Sequence, residues 1–290
     1  MLDGVLVALI TPFTQDDVID TDGVRSNIDF LAKKGVSGIV PSGTTGESAT
    51  LTFQEHKDLI ELTVDYSPVP VVAGTGSNST AEALELTKFA ADAGADAALL
   101  ITPYYNKPND EGLFRHFTRI ADNADIPQIL YNVPTRTCIN LKPEVTARLA
   151  RHPNIIGIKE ASGDLKQISD IIELTRDEDF VLFSGDDAMT LPIMELGGVG
   201  VISVTANIVP EKMAAMIAAF NKGDRTEAKR IEKEMLPLID ALFLETNPIP
   251  VKRAAELIGL ASGHLRLPLA PLSPENEVRL IAELKAIGAL

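Results

Sequence analysis

Short apolar runs with no polar alternation recur along the chain: Val5–Ile10, Gly38–Val40, Val69–Ala73, Ala97–Ile101, Gln128–Tyr131, Ile155–Ile158, Val181–Phe183 and Gly200–Val204. A strand buried on both faces reads this way, because neither side of its pleat meets water. Amphipathic stretches of helical period separate the runs. Thr52-Phe53-Gln54-Glu55 and Ser79-Thr80-Ala81-Glu82 match the capping box, a hydroxyl followed three residues later by a glutamate. Pro143 sits where a helix can begin, and Gly35 and Gly94 sit where helices should stop. Eight strand–helix units in about 220 residues predict an α/β fold, a (β/α)8 TIM barrel. An open doubly wound sheet is the alternative, since strand number alone does not close a barrel. After Asn221-Lys222-Gly223-Asp224 the strand signal stops. Residues 225–290 read as helices broken at Asn247-Pro248-Ile249-Pro250 and at Pro268–Pro274, which predicts a barrel over 1–224 and a C-terminal helical region over 225–290.

Composition narrows the setting more than the chemistry. The 290 residues carry 26 Lys+Arg against 41 Asp+Glu, a net charge of −15, which disfavours nucleic acid and anionic membrane surfaces as partners. One cysteine, Cys138, excludes an internal disulfide framework and a Cys-based zinc site, and fits a reducing compartment. Met1-Leu2-Asp3-Gly4 lacks a basic region, and the first apolar run is too short for a secretion signal. Nothing approaches the roughly 20 apolar residues of a membrane helix. The expected location is cytoplasmic.

In such a barrel the chemistry gathers where strands end. The residues there include Gly43-Thr44-Thr45-Gly46-Glu47, Thr102-Pro103-Tyr104-Tyr105-Asn106, Tyr131 through Arg136, Lys159-Glu160 and Ser184-Gly185-Asp186-Asp187. Lys159 directly follows the apolar run Ile155–Ile158. Desolvation there lowers an amine's pKa, and a neutral amine attacks a ketone to form a Schiff base; a lysine paired to Glu160 or another carboxylate reads equally well. Tyr131 is either a proton carrier beside that amine or an ordinary strand-end tyrosine. Thr44-Thr45 is either a carboxylate cradle or a tight turn that merely needs its glycines. Arg136 is either a bidentate carboxylate clamp or a solvated surface arginine. The four histidines, His56, His116, His152 and His264, share no metal-ligand spacing, and no carboxylate cluster reads as a metal site. Gly74-Thr75-Gly76-Ser77-Asn78-Ser79 lacks the third glycine of a dinucleotide fingerprint.

Taken together, GTTGE (43–47), TPYYNKP (102–108), YNVPTRT (131–137), GIKEASG (157–163), GDD (185–187), GVISVTAN (200–207) and NPIPVK (247–252) resemble the dihydrodipicolinate synthase family, within the pyruvate-dependent class I aldolases. The resemblance covers essentially the whole chain. It implies an aldol condensation of pyruvate with L-aspartate 4-semialdehyde in lysine and diaminopimelate biosynthesis, with no metal or cofactor beyond the covalent Schiff base on Lys159. By that resemblance Tyr131, Thr44 and Tyr105 form a proton relay, Tyr105 reaching a neighbouring subunit's site. Thr45 holds the pyruvate carboxylate, Arg136 that of the semialdehyde, and Gly185 and Ile202 offer backbone contacts near the lysine. A homotetramer, a dimer of dimers, is the implied assembly.

The resemblance also implies a feedback site for L-lysine at Ser48, Ala49, His56, Asn78, Glu82 and Tyr104. Phe53 stands where feedback-sensitive members commonly have histidine, and Cys138 where relatives often have glycine. Other pyruvate aldolases, N-acetylneuraminate lyase or 2-keto-3-deoxygluconate aldolase, share the lysine and tyrosine but not the arginine of YNVPTRT. A non-catalytic barrel scaffold should have lost Lys159, Tyr131 or Arg136, and all three are present.

Overall fold

A computed structural model describes residues 2–290. The chain runs through β1 (Gly4–Ala8), α1 (Thr21–Lys33), β2 (Gly38–Val40), α2 (Phe53–Tyr66), β3 (Val72–Gly74), α3 (Thr80–Ala93), β4 (Ala97–Ile101), α4 (Asp110–Ala121) and β5 (Gln128–Asn132). It continues through α5 (Pro134–Thr137), α6 (Pro143–Ala150), β6 (Ile155–Glu160), α7 (Leu165–Thr175), β7 (Val181–Ser184), α8 (Thr190–Leu196), β8 (Gly200–Ser203) and α9 (Pro210–Asn221). The last elements are α10 (Arg225–Ala241), α11 (Ile249–Leu257) and α12 (Pro274–Ala286).

The eight strands form one sheet in the order β2-β1-β8-β7-β6-β5-β4-β3. Consecutive strands are neighbours and β8 lies beside β1, the order of a (β/α)8 barrel rather than of a doubly wound sheet. At the β2 edge, Ile39 N–H donates to the Pro70 carbonyl at 2.9 Å, two residues before β3 begins. No helix among the described residues is long and apolar enough to cross a membrane.

Residues 71–202 make one compact unit. Its core is the layer between strands and helices: Leu100, Leu130, Ile158 and Leu182 from β4–β7 bury against Phe117 and Ile120 of α4, Leu149 of α6 and Ile168 and Ile171 of α7. Residues 2–70 and 203–290 make the second unit. There α9 packs on β1, α10 lies against α9 and α12, and α11 against α12.

Local sequence explains most boundaries. Thr52 and Glu55 form both halves of the capping box. The second predicted box is half formed: Ser79 Oγ accepts from the Glu82 N–H at 3.4 Å, but the Glu82 carboxylate takes the Ser77 hydroxyl instead, at 2.8 Å. Gly94 caps α3 at φ 90° and Pro143 opens α6. Six of the eight strands end one or two residues away from their apolar runs, and for two of them the hydrogen bonds show why. β1 stops at Ala8 because the Ile10 N–H leaves the ladder for Asn207 Oδ1 at 3.2 Å. β6 continues through Lys159 and Glu160, which stay paired with Phe183 and Ser184 of β7.

Candidate active site

In the unit of residues 71–202, Tyr131 of β5 is the register partner of Lys159 of β6. Paired residues of neighbouring strands share a face, and Lys159 Nζ lies 4.4 Å from the centroid of the Tyr131 ring. The lysine is 5% exposed. Burial lowers its pKa from 10.5 to about 8; the nearby Asp187 carboxylate opposes the shift and Arg136 adds to it. Gly185 packs at the lysine's stem. A Cβ there would come 3.2 Å from Lys159 Cε and 2.7 Å from Ala161 Cβ, so any side chain would crowd the amine.

Glu160 does not pair with Lys159. Successive strand residues point to opposite faces, and the Glu160 carboxylate accepts instead from Asn132 Nδ2 at 3.0 Å, the Ser162 N–H at 2.7 Å and Gln167 Nε2 at 3.3 Å. Burial raises its pKa while these bonds hold it down. The network ties the segments after β5 and β6 behind the amine, since Asn132 Oδ1 also accepts from Leu141 N–H at 2.9 Å.

Arg136 is exposed, on the one-turn helix α5. Cys138 ends that turn at φ 58°, the left-handed region that glycine enters most easily; a cysteine there carries about 1 kcal/mol of backbone strain. Tyr105, after β4, also has positive φ (68°) and is 89% exposed. Tyr104 is partly exposed, Asn78 O accepts from Asn106 Nδ2 at 2.8 Å, and Ile202 is buried in β8.

In the other unit, the segment after β2 folds as a tight turn bounded by Ser42 (φ 55°) and Glu47 (φ 56°). Gly46 N–H and Ser48 N–H both donate to the Gly43 carbonyl, and Thr11 Oγ1 donates to Gly46 O at 2.7 Å. Gly46 is closely packed here: a Cβ would lie 3.1 Å from Leu9 O and Thr11 Oγ1 and 3.2 Å from Ser42 N, so those neighbours would have to shift to admit it. Thr44 is half-buried and Thr45 buried. Asn247 Nδ2 donates to Thr45 Oγ1 at 3.0 Å. Glu47 Oε1 meets Lys252 Nζ at 2.6 Å with both side chains wholly buried, and Glu47 Oε2 accepts the Arg266 N–H at 3.2 Å. Burial pushes the Lys252 ammonium down and Glu47 opposes that. Lys252 and Arg266 both lie over the Phe13 ring. Ser48 and Ala49 follow in a short 3-10 turn, His56 is buried on α2, and Phe53 opens α2 with Lys57 Nζ 4.7 Å from its ring centroid.

The model of the Dihydrodipicolinate synthetase family matches residues 1–287. The chain belongs to that family. A relative from Methanosarcina acetivorans, a 4-hydroxy-tetrahydrodipicolinate synthase, is 60% identical over 290 residues, covering 100% of both chains. The crystal structure of dihydrodipicolinate synthase from Aquifex aeolicus superposes with TM-score 0.97 at 43% identity, covering 99% of this chain and 98% of that one. A family structure from Cyanidioschyzon merolae with lysine bound superposes with TM-score 0.97 at 43% identity, covering 100% and 99%. Family membership makes the chain a lyase of the class I pyruvate aldolase type with a (β/α)8 barrel fold.

Asp187 stood in the quoted GDD motif without an assigned role, and neither Asn247 nor the Glu47–Lys252 pair stood out from the sequence. The one available signal was that Glu47, Asn247 and Lys252 are polar residues inside two of the quoted motifs. Among the described residues no three of His, Cys, Asp and Glu gather where they could hold a metal ion.

Proposed function

We propose that this chain catalyses the 4-hydroxy-tetrahydrodipicolinate synthase reaction, condensing pyruvate with L-aspartate 4-semialdehyde through a Schiff base on Lys159. One observation carries the reading: a buried amine with a pKa lowered to about 8, its Nζ over the Tyr131 ring. Near neutral pH a usable fraction of such an amine is unprotonated and nucleophilic. Its lone pair adds to the keto carbon of pyruvate, and loss of water leaves the imine. Loss of a methyl proton then gives the enamine, whose carbon attacks the aldehyde.

Each of these steps moves a proton. Tyr131 stands beside the amine to carry it, with Thr44 and Tyr105 as the further members of the relay. Tyr105 is exposed, as suits a residue that completes a site in a neighbouring copy of a homotetramer. Thr45 holds the pyruvate carboxylate, and the Arg136 guanidinium that of the semialdehyde. Backbone groups at Gly185 and Ile202 line the bound imine. The reaction uses no metal or cofactor, and the enzyme works in the cytoplasm.

L-Lysine is the proposed inhibitor, at Ser48, Ala49, His56, Asn78, Glu82 and Tyr104. A lysine-bound family structure supports this. The Lys57 ammonium over Phe53 disfavours a second cation there, so inhibition is weak.

The test is pyruvate plus borohydride followed by mass spectrometry. One covalent adduct per chain on Lys159, unaffected by a metal chelator, is expected; Lys159→Ala abolishes it without unfolding the protein. No adduct, or one on another lysine, rejects the mechanism.

A further inference from the structure

A hydroxyl has one proton to donate and two lone pairs to accept with. Thr45 and Asn247 are both buried, at 2% and 5% exposure, and the Asn247 amide N–H occupies a lone pair of Thr45 Oγ1 at 3.0 Å. An amide N–H cannot accept, so the Thr45 proton is directed away from Asn247. Donation into an oxygen also polarises it and strengthens the bond that its own proton then makes. A carboxylate only accepts, so an O–H held in this state is matched to an anion.

Five residues further along, Lys252 grips Glu47 at the end of the same turn. The segment 247–252 therefore fixes the turn at two points, and Asn247 alone of the two touches a residue assigned to substrate. The sequence separation, 202 residues for Asn247–Thr45 and 205 for Lys252–Glu47, makes both contacts products of tertiary folding.

We infer that Asn247 is a positioning residue that orients the Thr45 hydroxyl as a donor to the substrate carboxylate, and so sets affinity for the keto acid. This rests on the reading that Thr45 holds the pyruvate carboxylate.

The experiment measures the pyruvate concentration giving half-maximal borohydride trapping on Lys159, with steady-state kcat and KM for pyruvate, in folded variants checked by circular dichroism. Asn247→Ala raises the half-saturating concentration about tenfold, as loss of one oriented hydrogen bond predicts, while saturating pyruvate still gives one adduct per chain. Thr45→Val raises it similarly, and the double variant shows no further increase, because both changes remove the same oriented proton. Asn247→Asp keeps the shape but replaces the donor with an acceptor that draws the Thr45 proton to itself, so it is at least as damaging as Asn247→Ala. A purely space-filling role predicts the reverse order for these two.

The inference is overturned by an Asn247→Ala value equal to wild type, by additive effects in the double variant, or by Asn247→Asp binding better than Asn247→Ala. If Asn247→Ala does not fold, Asn247→Asp against Thr45→Val decides. An unaltered Thr45→Val value, or no Lys159 adduct in the wild-type protein, removes the parent reading itself, and these results are distinct from a failure at Asn247 alone.

Discussion

Lys159 Nζ lies 4.4 Å from the centroid of the Tyr131 ring, and the two residues are direct partners in the β5–β6 ladder. The distance is therefore set by sheet register rather than by a flexible loop. The ring attracts the charged amine, whereas burial opposes charge, and burial prevails: the lysine's pKa falls to about 8.

The rate of borohydride trapping at fixed pyruvate should rise about tenfold per pH unit below pH 8 and level off above it, following the neutral amine. The charges flanking the lysine move this profile in opposite directions. Asp187→Asn removes an influence that raises the lysine's pKa, so the profile shifts to lower pH. Arg136→Leu removes one that lowers it, so the profile shifts to higher pH. Shifts in the same direction would refute this electrostatic account.

Stability should carry the same signature. Below about pH 8 both folded and unfolded chains hold the Lys159 proton, and the folded protein bears the full cost of a buried ammonium. Between about 8 and 10.5 the folded lysine loses its proton first, so stability rises with pH; above 10.5 the cost is gone. Lys159→Met is thus expected to be more stable than wild type at pH 7, by up to about 3 kcal/mol. The margin should shrink as urea unfolding is repeated from pH 8 to 10.5. A margin constant across that range would assign the effect to packing instead.

The Glu47–Lys252 pair tests how the turn is held. Both side chains are fully buried, so Lys252→Met leaves an uncompensated carboxylate and should cost about 3–5 kcal/mol in urea unfolding. Glu47→Gln in the same chain restores most of that, because two neutral groups bury without the desolvation penalty of a lone ion. A double variant as unstable as Lys252→Met alone would show that the pair contributes shape rather than charge balance.

The proposed feedback site predicts weak inhibition, with position 53 as the residue to test. Millimolar L-lysine should lower initial rates modestly. Phe53→His should lower the concentration needed for half inhibition, since it places at position 53 the histidine that feedback-sensitive members of the family commonly carry. Rates unchanged by L-lysine in both proteins reject the feedback site.

Much of the fold was legible because buried parallel strands are continuously apolar. Gly38–Val40 and Ala97–Ile101 were read with their observed ends. The errors fall where one polar contact outweighs the pattern. β3 begins at Val72 rather than Val69, since Pro70 has no N–H for a ladder and its carbonyl serves Ile39. Lys159 was expected to follow its strand yet lies within it, because a charged side chain does not end a strand whose backbone stays paired. Cys138 had no account from sequence; its positive φ is visible only in the folded turn.

Periodicity, capping signals and the identity of the reactive groups are local properties, legible within one turn or strand of the amino-acid sequence. Tertiary structure alone decided that Lys159 is dry enough to react and that Glu160 faces away from it. It also decided that Asn247 and Lys252 reach back more than 200 residues to Thr45 and Glu47. Burial and pairing depend on which distant segments share a space, and no local pattern carries that information.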